Sequence, residues 1–215
     1  MDGKTKKLTT LGMLSAIAFA LVVVGRIPVV LFLKYDPKDV IIAIGGMLYG
    51  PLSAFIISAA VSFVEMFTIS DTGIIGFIMN VISSCAFACT AAYIYKKDRT
   101  LKGAVIGLVS GAAVMVAVML LWNYLVTPIY MGYPRQAIVD LMLPAFLPFN
   151  LIKGGLNAAI TMLLYKPIVS ALRSSHLIEE GETQTKGKIN IGVVLVSLFV
   201  IATCVFFVLS LQKII

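Results

Sequence analysis

The sequence predicts an all-α integral membrane protein: a six-helix bundle followed by an additional C-terminal transmembrane helix. Three observations carry this. First, 60% of the 215 residues are hydrophobic before the 17 glycines are counted, and only 13% are charged, with a mean hydropathy of +1.03. A soluble domain has about 45–50% apolar residues with glycine included and about 25% charged ones. A soluble globule, a disordered chain and a nucleic-acid-binding module are thereby excluded. Second, apolar runs recur along the chain at lengths that suit about 30 Å of hydrocarbon, which needs about 20 helical residues. Third, basic residues cluster between alternate runs, so the net charge of +7 reports orientation rather than an acidic partner.

The runs fall near residues 8–25, 39–49, 51–68, 74–95, 103–126, 144–172 and 189–211. The first follows Lys4, Lys6 and Lys7 and contains Ala18-Phe19-Ala20, as a secretory signal would. It continues through Val24 and further spans follow, so it reads as an uncleaved helix. The second is short, and residues 39–68 would form one helix unless the chain breaks at Tyr49-Gly50-Pro51. Charge parity decides. With the break and a cytoplasmic N-terminus, Lys4, Lys6, Lys7, Lys96, Lys97, Arg99, Lys102, Lys166, Arg173, Lys186 and Lys188 all lie inside, eleven of the 17 basic residues. Without it, the cluster from Lys96 to Lys102 lies outside, against the positive-inside rule. The resulting organisation is a membrane domain over 1–175, a polar cytoplasmic linker over 176–188 rich in Glu179, Glu180 and Glu182, and a seventh helix over 189–211. No repeat at a fixed period is visible, so an inverted-repeat transporter gains no support.

Motifs for chemistry are missing. Gly45-Gly46-Met47-Leu48-Tyr49-Gly50-Pro51 lacks the Lys-Ser/Thr ending of a phosphate-binding loop, and neither HExxH nor GxSxG occurs. Glu65 is the one acid read within a span, toward the outer end of its helix, where a snorkelling or capped role is favoured over a proton site. Cys85, Cys89 and Cys204 lie in apolar runs and read as small hydrophobes; the only histidine, His176, is in a polar loop, so no metal site is expected. The chain is not read as an enzyme.

Polar groups at one depth are more informative. On the predicted topology Asn80, Asn123, Asn150 and Lys153 lie in the outer third of the bilayer on three helices, with Asn157 one turn deeper. Asn150, Lys153 and Asn157, at i, i+3 and i+7, share a face. Such groups are costly against lipid and therefore face a cavity or one another. An interhelical clamp of asparagines is one reading. Lys153, with no acid nearby in its own helix, favours an outward-facing small-molecule pocket. The outer segment Arg26 to Asp39, two prolines around an apolar stretch too short to span, could fold over that pocket as a lid or serve as an interfacial anchor. Thr127, Pro128, Tyr130, Tyr133 and Pro134 add rigid turns and aromatics. Two rows of small residues, Gly12/Ala16/Ala20 and Gly103/Gly107/Gly111, suit either internal packing or docking of a membrane partner.

The segments Leu33-Lys34-Tyr35-Asp36-Pro37-Lys38-Asp39-Val40, Tyr49-Gly50-Pro51, Asn123 to Tyr130 and Pro148 to Gly154 resemble the substrate-binding S component of an energy-coupling factor (ECF) vitamin importer, the riboflavin-specific kind most closely. The resemblance covers about residues 8–172; the seventh helix departs from it. It implies an S-component six-helix bundle in a bacterial cell membrane that captures riboflavin at the outer face and has no cofactor of its own. It also implies partners, a transmembrane coupling subunit and two cytosolic ATPases. The substrate-binding set is then Leu33, Tyr35, Asp36, Asn80, Asn123, Thr127, Tyr130, Asn150, Lys153 and Asn157. The row Gly12, Ala16, Ala20 resembles the docking motif. Riboflavin suits such a set because a flat ring wants apolar walls and its carbonyls and imide want donors and an acceptor. The competing classes are S components for another vitamin, a self-contained channel or secondary transporter, and a ligand-free membrane scaffold.

Overall fold

The computed structural model describes residues 3–30, 33–175, 177 and 190–212. Its helices are α1 (Gly3–Gly25), α2 (Lys38–Tyr49), α3 (Pro51–Thr68), α4 (Gly73–Lys97), α5 (Leu101–Leu125), the short α6 (Thr127–Met131) and α7 (Arg135–Leu141), α8 (Leu147–Ser174) and α9 (Ile191–Leu211). A π-helical turn, Met142–Phe146, runs α7 into α8. Six helical segments are long and apolar enough to cross a membrane: α1, α3, α4, α5, the continuous stretch Arg135–Ser174, and α9 over Ile191–Ser210. The expected all-helical membrane architecture is therefore found. The polar linker expected over 176–188 lies outside the described residues, Leu177 apart.

The break between the second and third runs has a local cause. Gly50 takes φ +95°, a left-handed value that a side chain would resist, and its N–H closes α2 on Gly46 O at 2.7 Å. Pro51 then opens α3 at the one turn of a helix that needs no N–H.

With 12 residues, α2 spans only about 18 Å. It is nevertheless the centre of the bundle. Every residue from Lys38 to Met47 is buried, and α1, α3, α4 and α8 pack around it. A helix apolar on all sides belongs inside. Gly45 and Gly46 let it sit close: a Cβ on Gly46 would lie 2.8 Å from Ala54 Cβ of α3 and 3.0 Å from Ala92 Cβ of α4.

The two small-residue rows have different environments. Gly103, Gly107 and Gly111 are buried on α5, Gly103 against Asp98 just past α4 and the other two against α4, where a Cβ on Gly107 would stand 2.8 Å from the Ala91 carbonyl oxygen. Gly12, Ala16 and Ala20 are all exposed on α1, and a Cβ on Gly12 would meet nothing within 4 Å.

One element departs from the sequence reading. The segment after α1 is an antiparallel hairpin, β1 (Ile27–Val30) and β2 (Leu33–Tyr35), pairing Ile27 with Tyr35 and Pro28 with Lys34. Leu31 and Phe32 lie outside the described residues.

Gly107→Val should lower the melting temperature of the detergent-solubilised protein, because overfilling a packed contact costs about 1–3 kcal/mol. Gly12→Val should leave it unchanged. Equal effects of the two substitutions would contradict the difference in packing.

Candidate functional site

At the hairpin end of the bundle, α4, α5, α6, α8 and the hairpin surround a cavity of about 360 Å³, within the range of small-molecule sites. Of the residues singled out from sequence, Leu33, Asp36, Asn80, Asn123, Tyr130, Asn150 and Lys153 line it. Thr127, Tyr35 and Asn157 do not: Thr127 bonds to lining Asn123, while Tyr35 bonds to Asn157, which reaches lining Lys153 through Asp39.

The asparagines are oriented by the backbone and side chains behind them. Thr127 donates its hydroxyl to Asn123 Oδ1 at 3.1 Å, so Asn123 Nδ2, buried and without a hydrogen-bond partner among the described residues, is left as a free donor. Asn150 is held the opposite way. Its Nδ2 donates to Phe146 O at 2.8 Å, one turn back in the π-helical segment, which leaves Oδ1 as the free end of the amide. Asn80 donates Nδ2 to Glu65 Oε2 at 3.0 Å, and again Oδ1 is left. Asp36 is 4% exposed, and its Oδ1 has no partner among the described residues. Burial alone would raise the Asp36 carboxyl, but Lys38, Lys153 and Arg26 outweigh it and hold the group below its usual range. The lining thus presents an amide donor, two ammonium groups, a guanidinium and several acceptors between apolar walls from Met79, Met119 and Phe149.

Beneath the lining are two carboxylates that the sequence reading had not joined to it. Glu65, 0% exposed, is neither snorkelling nor capped: it takes Lys38 Nζ at 2.6 Å, Arg26 at 3.4 Å and Asn80. Asp39, equally buried at the start of α2, accepts from Ser84 of α4 and from Asn157 Nδ2 of α8 at 3.2 Å, and pairs with Lys153 Nζ at 3.4 Å. Lys153 therefore has an acid partner after all, on another helix. Tyr35 of the hairpin joins the same group by donating its hydroxyl to Asn157 Oδ1 at 3.1 Å, and burial pushes its own ionisation up. At the rim, Lys34 meets Asp71 at 3.2 Å, tying the hairpin to the loop between α3 and α4.

Glu65, Ser83 and the Ser70–Thr72 loop are among the residues that sequence reasoning does not place at the site, and it reads Arg26, Lys38 and Asp39 only as parts of the outer segment over the pocket. A signal existed: four charges from Lys34 to Asp39, with Arg26 before them, precede an apolar run, and Glu65 lies alone within the next one. No group of three or more metal-ligating side chains occurs among the described residues.

Comparisons with known proteins agree on a family. Residues 6–165 match the family described as ECF transporter, substrate-specific component. The riboflavin transporter FmnP of Bacillus subtilis (strain 168) is 30% identical over 190 residues, covering 81% of this chain and 99% of that protein. The riboflavin transporter RibU of Staphylococcus aureus (strain TCH60) is 29% identical over 180 residues, covering 79% and 94%. A solved structure described as the S component of a bacterial ECF transporter superposes with a TM-score of 0.66 at 29% identity, over 79% of this chain and 99% of the other.

Removing one partner of a buried ion pair leaves an uncompensated charge and costs about 3–5 kcal/mol. Glu65→Gln should accordingly lower the melting temperature sharply. The double replacement Lys38→Met with Glu65→Leu should recover much of that loss, since no buried ammonium then lacks a partner. Additive losses in the double variant would show that the pair is not coupled.

Proposed function

This chain belongs to the family of ECF transporter substrate-specific components, and from that premise we propose that it binds riboflavin and delivers it across the cell membrane. It is a multi-pass membrane transport protein and not an enzyme. On our reading, capture occurs at the extracellular face with the N-terminus cytoplasmic. Residues 1–175 are the binding domain, 176–188 a cytoplasmic linker and 189–211 an extra transmembrane helix. On the family reading, transport uses a transmembrane coupling subunit and two cytosolic ATPases; this chain itself carries no phosphate-binding loop.

The observation that carries the ligand assignment is the opposed orientation of the asparagine amides around the cavity. Asn123 is left with a donor, while Asn80 and Asn150 are left with acceptors. A flavin's pyrimidine edge alternates carbonyl, imide N–H and carbonyl, which needs donor, acceptor and donor; Lys153 provides a second donor. Methionine and phenylalanine walls suit the flat ring, and Asp36 can accept from a ribityl hydroxyl. Support for riboflavin also comes from the relatives, two of which are named riboflavin transporters.

Docking is assigned to the row Gly12, Ala16, Ala20. Its exposure on α1, without a neighbour above Gly12, leaves a strip on which another helix can approach closely.

Purified protein should quench riboflavin fluorescence saturably. Asn150→Ala and Lys153→Ala should each weaken binding by about 1–3 kcal/mol, the range for leaving a buried polar atom unpaired. Unchanged affinity in both would remove the cavity from consideration. Ala16→Trp should abolish cellular uptake while leaving binding by the isolated protein intact, because it obstructs the strip and not the cavity. Loss of binding in that variant would count against a docking role.

A further inference from the structure

The helix α9 lies beyond the 6–165 region of the family match, and about a fifth of this chain has no counterpart in relatives that are themselves covered almost whole. Its sequence is apolar all round, and most of its surface is exposed: Leu195, Phe199 and Phe206 stand 61%, 72% and 64% exposed. One stripe is different. Val193, Ser197, Val200, Ile201, Cys204 and Val208 are buried or half-buried, at the spacing of a single helix face.

That face packs on α8 and on the hairpin. Gly155 of α8 faces α9 directly; a Cβ there would meet Cys204 Sγ at 3.4 Å and Val200 Cγ1 at 3.8 Å. Further toward the cavity end, Ile201, Cys204 and Val208 pack against a buried cluster of Val29 and Tyr35 from the hairpin and Phe149, Ile152 and Leu156 from α8. Past the last turn, Gln212 donates its side-chain amide to the Pro28 carbonyl of β1. The cluster so covered is the back of the binding cavity. Phe149 lines the cavity from α8, Leu33 and Lys34 line it from the same hairpin, and Tyr35 continues through Asn157 to Asp39 and Lys153.

We propose that α9 is a working part of the ligand site: it holds strands β1 and β2 of the hairpin against α8 and so sets how long a bound molecule stays. A two-stranded hairpin is marginal on its own and needs a packed face to persist. Among the described residues, the apolar side of this one rests on α8 and α9 together; α9 supplies three of the side chains, and Gln212 just past it adds a side-chain hydrogen bond to the Pro28 carbonyl. A hairpin that opens less often releases ligand less often, so the effect falls on the dissociation rate more than on the association rate. The structural contact stands by itself; its effect on residence time rests on the riboflavin reading of the cavity.

The test uses the full chain in detergent. Ile201→Ala with Val208→Ala removes apolar contact, Gln212→Ala removes only an exposed hydrogen bond, and Phe199→Ala with Phe206→Ala alters the outer face as a control. Amide hydrogen exchange over strands β1 and β2, measured without ligand, should quicken about tenfold in the first variant, the equivalent of about 1.4 kcal/mol of lost packing. It should rise less in Gln212→Ala and not at all in the control. Riboflavin dissociation followed by fluorescence should quicken in the same order, with association and melting temperature little changed. Val208→Ile should behave as the parent. Hairpin exchange equal in all variants would overturn the proposal. Faster exchange with unchanged dissociation would overturn its functional half. A parent protein that binds no riboflavin would instead overturn the ligand reading, and exchange alone would still decide whether α9 holds the hairpin.

Discussion

A carboxylate inside a membrane bundle must be matched by internal donors, and the architecture at the cavity end follows from how Glu65 and Asp39 are matched. Glu65 on α3 draws in Lys38 from the start of α2, Arg26 from the end of α1 and Asn80 from α4. Asp39 draws in Ser84 from α4 and both Lys153 and Asn157 from α8. The two acids are thus the points at which five segments distant in sequence meet. Desolvating such groups offers little net stability, yet separating any partner would be expensive, so the arrangement fixes geometry more than it adds free energy. The cavity lining inherits that fixity because Asn80 and Lys153 belong to both the lining and the matched groups.

The helices were legible because their signals are local. Apolar runs cut by basic clusters gave seven segments near their observed limits, and Tyr49-Gly50-Pro51 marked the break that Gly50 makes with its left-handed backbone. Hairpin strands were not legible: four and three residues, with Pro28 inside the first and Pro37 soon after the second, offer no alternation long enough to register. Asn150, Lys153 and Asn157 could be grouped because a helix face follows from spacing alone. Their partners could not, because Asp39 is 114 residues from Lys153 in the chain and only folding brings them within 3.4 Å. Glu65 was noticed as an isolated acid in an apolar run, but isolation in sequence proved compatible with three donors in space.

Small residues illustrate the same limit from the other side. Gly12/Ala16/Ala20 and Gly103/Gly107/Gly111 are equivalent as patterns, yet α5 spends its row on α4 while α1 leaves its row bare. What separates them is the neighbour, which no spacing records. Gly155 is a third case, a glycine whose neighbour, α9, is supplied by a segment outside the family match.

The pairing of charges around the cavity has an electrical consequence. Arg26, Lys34, Lys38 and Lys153 face Asp36, Asp39, Glu65 and Asp71, four cations against four carboxylates in one layer. The membrane potential does work of about 2.3 kcal/mol on each unbalanced charge per 100 mV. A layer that sums to zero feels almost none of it. Were the loaded layer to move through the field, an uncharged cargo would preserve that balance and leave the movement electrically silent, whereas a cargo bearing a phosphate would add an uncompensated anion and make it depend on voltage.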